Sequence, residues 1–408
     1  VTIKRIALTT ILGGLVLGFI GILALAILRE VPGGNSYALL AEGWLHGRFD
    51  TDKCFDGDCA LYNGLTYIIF PPLPGMITLP FVALFGSGFR FFTVLGVLAF
   101  AGSGWLWWQI FRRETATREP AILLVLLTLF ATPLAFVVLR ADAVWFYAQS
   151  WGFLFSSAAL YSALVRRNAL LAGLFIGMAF LCRQMTILYL PLLYVLLLEA
   201  NTAWYRIDGA AIKRALSLAA FPIIAILIYF AYNYARFGSP LETGYSYIFP
   251  VEWDVAGSGG FFLRLRVREL GIFSPDYFLF NAIYMFIAGP HVDFAGRYMT
   301  EMAGFDANGA SLFLVTPLLL LAFLGKWDRA FWFGLGTCGV VMGLTLLYHS
   351  NGFSQYSAQR YALDWLPILL IFLGRALKPE WTQPFALLLA YSMGVTLSMM
   401  AIGGILAG

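Results

Sequence analysis

The chain has 408 residues, 61% of them hydrophobic and only 12% charged, with a mean hydropathy of +0.80. A soluble domain carries about 25% charged residues, so the composition excludes a soluble globular enzyme and points to a polytopic membrane protein. The net charge of +4 follows membrane topology, and no nucleic-acid partner is expected from it.

The first apolar segment, 6–28, is long enough to span a bilayer and has no small-residue cleavage site. Further spans are predicted at 88–111, 120–139, 150–165, 169–182, 185–199, 215–232, 311–325, 330–347, 365–375 and 383–406. These runs are too long for barrel strands, so the predicted class is an all-α polytopic membrane protein of about 11 transmembrane helices. The short loops on the N-terminal side are basic (Lys4, Arg5, Arg112, Arg113, Arg166, Arg167), whereas most acids fall in two long loops on the other side. That asymmetry places the N-terminus inside and the C-terminus outside. The whole chain reads as a single membrane domain, 1–408, with outer loops 29–87 and 233–310 forming a cap. Apolar stretches 73–85 and 275–288 in these loops are too short to span and read as interfacial or re-entrant helices. Arg264, Arg266 and Arg268 alternate with Leu263, Leu265 and Val267, a period of two that predicts an extended segment at the membrane surface.

The first outer loop carries an acidic turn, with Asp50, Asp52, Asp56 and Asp58 around Cys54 and Cys59. In an oxidising compartment the two cysteines could close a small ring; otherwise they are free thiols. The acids are spaced a little like a calcium loop but lack its terminal glutamate. A solvated turn is the plainer reading, and no metal or other cofactor is expected. Cys182 and Cys338 lie in apolar segments and read as packing.

Ionisable residues at membrane depth are costly and usually functional. Here they gather at the outer ends of spans. Arg140, Arg183, Arg236 and Arg360 come from four separate outer turns, and a converging set would suit a phosphate, which guanidinium pairs bidentately. Snorkelling to headgroups, or Arg–Asp pairing within turns, is the structural alternative. Glu30, Glu42 and Asp142 are the candidate catalytic carboxylates, each near an outer interface, where a carboxylate could deprotonate an acceptor hydroxyl or amine. Against this, Glu30 could pair with Arg29, and Glu42 could sit on a solvated helix face. Asn35, Tyr37, His349, Gln355 and Tyr361 are the candidates for contact with a sugar or an acceptor.

The loop segment from Asn35-Ser36-Tyr37 to Asp50, the Pro71-Pro72-Leu73-Pro74-Gly75 turn and the Arg183 break in an apolar run resemble the GT-C superfamily of membrane glycosyltransferases. So do Asn233-Tyr234-Ala235-Arg236-Phe237-Gly238 and Gln359-Arg360-Tyr361 with Asp364. The resemblance covers nearly the whole chain. It implies a polyprenyl-phosphate (undecaprenyl- or decaprenyl-type) sugar donor, a lipid, glycan or protein acceptor, and transfer on the outer face of a prokaryotic cytoplasmic (inner) membrane. It further implies a lipid phosphate held by basic residues and a carboxylate of the first outer loop as base; one-step displacement would invert the anomeric carbon, and the chain is expected in the lipid bilayer, with a monomer as one expected state. Such enzymes often carry an Asp-Glu pair before a Tyr of this loop. Gly33 and Gly34 stand there in this chain, so the acid would be Glu30, Glu42 or Asp142. A ligase or polymerase using a lipid-pyrophosphate oligosaccharide, and a lipid or sugar flippase, are the alternative functions.

Overall fold

The computed structural model describes residues 2–199, 202–248 and 262–403, with side chains from residue 7 onward. Of the expectations above, residues 249–261 of the second outer loop and 404–406 of the last span lie outside the described residues. In chain order the elements are α1 (Thr2–Arg29), α2 (Ser36–Leu45), β1 (Asp50–Thr51), β2 (Cys59–Tyr62), β3 (Leu65–Ile68), α3 (Pro72–Phe85), α4 (Phe92–Glu114), α5 (Arg118–Phe130), α6 (Leu134–Leu139) and α7 (Val144–Leu164). There follow α8 (Ala169–Phe180), α9 (Leu190–Leu197), α10 (Gly209–Phe237), α11 (Phe262–Leu270), α12 (Phe278–Ala282), β4 (Val292–Ala295), β5 (Glu301–Phe305), α13 (Leu312–Val315), α14 (Arg329–Leu346), α15 (Leu366–Ala376) and α16 (Thr382–Ala401).

Among the described residues, five helical segments are long and apolar enough to cross a membrane: Ala7–Arg29, Phe92–Glu114, Gly209–Phe237, Arg329–Leu346 and Pro379–Ala401. Of the remaining predicted spans, 150–165 lies on the continuous 21-residue α7, and the others are present as shorter or broken helices. The segment expected at 120–139 splits into α5 and α6 around Pro133, because proline lacks the N–H that would continue the ladder. The Arg183 break is also real. α8 ends before it, and a 3-10 turn over Gln184–Tyr189 leads into α9.

Glycine sets the closest helix contact. A Cβ on Gly173 would meet the Leu218 carbonyl oxygen at 2.3 Å, and one on Gly177 would meet that of Phe221 at 3.1 Å. Two glycines four apart on α8 therefore let the backbone of α10 approach directly, as small residues do between membrane helices. At the end of the bundle carrying Glu114, arginines clamp helix termini. Arg113 donates to the Leu164 carbonyl, Arg167 to those of Leu197 and Leu198, and Arg375 pairs with Glu114 at 2.8 Å. Cations at helix C-termini meet both the dipole and the orphan carbonyls.

The opposite end carries the two long inter-helix segments, and their described residues are folded. In the first, β1, β3 and β2 form an antiparallel sheet, with Asp50 opposite Tyr67 and Ala60 opposite Tyr67 from the other side. Hydrophobic alternation gave no warning of this sheet, because its strands are two to four residues long. Cys54 and Cys59 are disulfide-bonded, closing the ring between β1 and β2. In the second segment β4 and β5 make a hairpin. Residues 262–270 are helical, not extended. Helical spacing brings Arg266 over the Phe262, Tyr277 and Phe280 rings at 4.5–5.3 Å, and these cation–π contacts hold it inside the fold.

Glu30, expected as a candidate base, has a structural task. Its carboxylate accepts the backbone N–H groups of Phe92 (2.8 Å) and Thr93 (3.0 Å), which satisfies two orphan donors at the start of α4. Burial pushes its pKa up against these bonds. Glu30→Ala should destabilise the protein by about 1–3 kcal/mol, the cost of stranding buried donors, while Glu30→Gln, which keeps one acceptor oxygen, should cost less. Thermal unfolding in detergent with equal stability for wild type and Glu30→Ala would remove this assignment.

Candidate functional site

A cavity of about 570 Å³ lies between the two long inter-helix segments and the helix ends beside them. Its wall combines the disulfide turn (Asp56, Gly57, Asp58), the helix break (Arg183), the start of α7 (Trp145), and the segment before α15 (Arg360, Tyr361, Asp364), with Tyr348 and His349 after α14.

Of the four arginines expected to converge, two line this cavity. Arg183 is ion-paired bidentately to Asp364, its Nε donating to Oδ1 at 3.0 Å and its Nη2 to Oδ2. The pair joins the helix break to the 360–364 turn and cancels both charges. Arg360 is different. It is buried, Nη1 donates to Gln149 Oε1 at 2.9 Å, and Nε donates to the Gly352 carbonyl at 2.8 Å. The Phe146 and Tyr361 rings flank it at 4.6 and 5.0 Å. Every acceptor named is neutral, and among the described residues no carboxylate forms an ion pair with it; Asp58 and Asp364 attract it only from farther off. Arg360 therefore brings a net positive charge to the cavity wall.

The other two arginines are engaged elsewhere. Arg236, at the end of α10, donates to the Ile68 carbonyl (2.6 Å) and to Asn233 Oδ1 (2.8 Å) and lies 3.8 Å over the Tyr232 ring. It pins α10 to β3. Arg140 pairs with Asp142 at 3.3 Å within their own turn. Neither lines the cavity.

The expected carboxylates are likewise outside it. Glu30 caps α4, Asp142 is half-exposed beside Arg140, and Glu42 lies on α2 away from the wall. The cavity's own acids are Asp56, Asp58 and the paired Asp364. The acidic turn thus divides. Asp50 and Asp52 face solvent-exposed Arg48 at 3.4 and 3.1 Å, so the four acids do not gather as in a calcium loop. Asp56 accepts the Asp58 backbone N–H at 3.1 Å, and Asp58 Oδ2 accepts Trp145 Nε1 at 2.6 Å. Burial, then the neighbouring Asp56, raises the Asp58 carboxyl to about 7, against the pull of Trp145, Arg360 and Arg264. Asp58 was not singled out from the sequence as a base because a short Asp-Gly-Asp run between cysteines reads as a solvated turn. The flanking cysteines are the available signal, since the ring they close carries both Asp56 and Asp58.

Gly33 and Gly34 stand where a larger residue would be strained. A Cβ on Gly34 would lie 3.1 Å from the Asp142 carbonyl oxygen, and Gly33 has φ +86°. Larger residues would push the loop off the turn before α7. Asn35 caps α2, accepting the Tyr37 N–H at 3.0 Å and donating to the Ala141 carbonyl at 3.1 Å. Tyr37 is fully buried between Phe70 and Tyr147. Both hold the loop and neither lines the cavity.

His349 and Tyr361 do line it. Burial, then Arg266, lowers His349 to about 4, so the imidazole is neutral at physiological pH, and its Nδ1 is buried without a partner. Gln355 stands behind the wall. Its Oε1 accepts the Arg360 backbone N–H at 2.9 Å, and its Nε2 donates to the Asn308 and Asn351 carbonyls. Gln149, absent from the sequence expectations, orients Arg360 from α7. Gln149→Glu should keep the fold but supply Arg360 with a carboxylate. Binding of a lipid monophosphate, measured by isothermal titration in detergent, should then weaken roughly tenfold to hundredfold. Unchanged affinity would show that Arg360 is not the anion contact.

No protein-family model and no curated protein matches the sequence. Solved structures similar to the chain include ArnT from Cupriavidus metallidurans bound to undecaprenyl phosphate, at 16% identity over 91% of this chain and 61% of that one, with a TM-score of 0.49. They also include the Archaeoglobus fulgidus oligosaccharyltransferase in the apo form, at 16% identity over 97% of this chain and 56% of that one, with a TM-score of 0.47. The chain spans about three fifths of the length of these proteins.

Proposed function

We propose that this chain is a membrane glycosyltransferase of the GT-C type. On this reading it takes a sugar from a polyprenyl-phosphate carrier and passes it to a hydroxyl or amine of a lipid, glycan or protein acceptor, on the outer face of the membrane. The observation that carries the proposal is a buried guanidinium with only neutral partners, Arg360, sharing one cavity with a carboxyl near neutrality, Asp58. A buried cation without an ion-pair partner calls for an anion, and guanidinium suits a phosphate best. The outer segments 29–87 and 233–310 then act as a cap over the reaction.

In the proposed step the acceptor O–H (or N–H) attacks the anomeric carbon, and the bond from that carbon to the phosphate oxygen breaks. The lipid phosphate leaves with the bonding electrons against Arg360, with the Arg183–Asp364 pair holding the wall in place. Asp58 takes the acceptor proton. A single displacement inverts the anomeric centre. Asp58 replaces Glu30, Glu42 and Asp142 as the proposed base, because it alone of the four lines the cavity. His349 and Tyr361 remain proposed contacts for the sugar or acceptor.

A base must be ionised to accept a proton, so the rate should rise with pH through about 7, the Asp58 value. Asp58→Asn should lower kcat about 10²- to 10⁴-fold, the usual contribution of a general base, and erase that rise. Arg360→Ala should abolish transfer while the protein stays folded. Turnover from undecaprenyl-phosphate-linked sugars, followed by mass spectrometry of the released undecaprenyl phosphate, measures all three. Wild-type kcat in Asp58→Asn would overturn the base assignment, and wild-type turnover in Arg360→Ala would overturn the phosphate site.

A further inference from the structure

The second outer segment carries an amphipathic hairpin that neither the cavity nor the bundle uses. In the β4–β5 pairing Phe294 stands opposite Met302, and Ala295 opposite Glu301. The pairing is bulged at Ala303 on β5, but β4 runs on without an extra residue, so alternation along β4 sets Asp293 and Ala295, with Glu301 opposite Ala295, on the face away from Phe294 and Met302. Phe294 and Met302 are 50% and 51% exposed, and Tyr298 and Met299 at the turn are 76% and 65% exposed. Large apolar groups exposed together mark a surface with a partner.

The surroundings identify that partner. The base of the hairpin is fixed, with the Asp306 N–H donating to the His291 carbonyl at 3.1 Å and the Tyr284 hydroxyl to Asp306 Oδ2 at 2.6 Å. Tyr284 belongs to the apolar stretch 278–287, where Leu279 and Ile287 are each 68% exposed. That stretch packs on α13 and on α14, one of the five membrane-length helices. Leu314 on α13 and Val340 on α14 are themselves exposed apolar surface. Exposed apolar surface thus recurs from the flank of the bundle, through 278–287, to the hairpin.

We propose that the hairpin Val292–Phe305 lies on the bilayer at this end of the bundle. Phe294, Met302 and the Tyr298-Met299 turn enter the boundary between headgroups and acyl chains, and Asp293 and Glu301 stay in water. This is the arrangement that amphipathic interfacial segments adopt, with tyrosine at the headgroup level. The consequence reaches the cavity. The hairpin leads directly to Asn308, whose carbonyl accepts the side-chain amides of Asn351, Gln355 and Gln359 at 2.9–3.1 Å, and these fix the segment ending in Arg360. Lipid contact by the hairpin would therefore steady the wall that carries the guanidinium.

The test uses full-length protein in nanodiscs of phosphatidylcholine and phosphatidylglycerol. Cys54 and Cys59 are bridged, and Cys182 and Cys338 are buried, so an environment-sensitive thiol fluorophore goes to an introduced cysteine. Met302→Cys and Asp293→Cys, both at exposed positions, are compared. The label at 302 should lose most of its emission to nitroxide-bearing lipid and resist iodide in the buffer, and the label at 293 should do the reverse. Iodide reaching both labels equally, or lipid quenching both equally, would overturn the proposal. Neither outcome depends on the glycosyltransferase reading, because no substrate enters the measurement.

Discussion

A buried guanidinium without a carboxylate is the constraint around which this end of the molecule is arranged. Arg360 cannot shed its proton, so its charge persists in a poorly solvating wall. Neutral oxygens from Gln149 and Gly352 take two of its N–H groups, and two aromatic faces flank it. Such partners stabilise the cation without cancelling it. Much of the surrounding structure holds this arrangement in place. Three side-chain amides from the 351–359 segment converge on the Asn308 carbonyl, and Gln355 grips the Arg360 backbone. Arg183, by contrast, is neutralised by Asp364, and that pair ties the helix break to the same turn. One wall therefore holds a closed ion pair beside a charge that no ion pair closes.

The four arginines show how little residue type says about role. All come from turns at one end of the bundle, yet one is a cross-brace to a strand, one pairs within its own turn, one joins two elements, and one faces the cavity without an ion-pair partner. The carboxylates divide in the same way. Glu30 is taken by the amides of α4, and Asp142 stays half in water. Asp58 sits in low dielectric beside another acid, which keeps its proton affinity near neutrality. Position relative to the disulfide ring, more than chemistry, separates the reactive candidate from the structural ones.

The two glycines before α2 connect these observations. They let the first long inter-helix segment lie against the turn preceding α7, and Asn35 then bonds across that junction to Ala141. The disulfide turn can consequently reach Trp145 and place Asp58 in the cavity. A loop that could not approach so closely would carry its acids elsewhere.

The sequence by itself determined the class of the molecule. Apolar runs of membrane length, basic short loops and two polar long segments are local properties, and backbone satisfaction in lipid leaves helices as the outcome. The break at Arg183, the cysteine pair, and the membership of Arg183, Arg360, His349 and Tyr361 in a polar cluster were also legible there, because each interrupts an apolar pattern. Only the tertiary structure decided which charges remain open. Whether Arg360 meets Gln149 or an acid, and whether Asp58 faces water or a cavity, depends on residues 211 and 87 positions away in the chain. Charge compensation is a property of neighbours in space, and a linear reading lacks those neighbours.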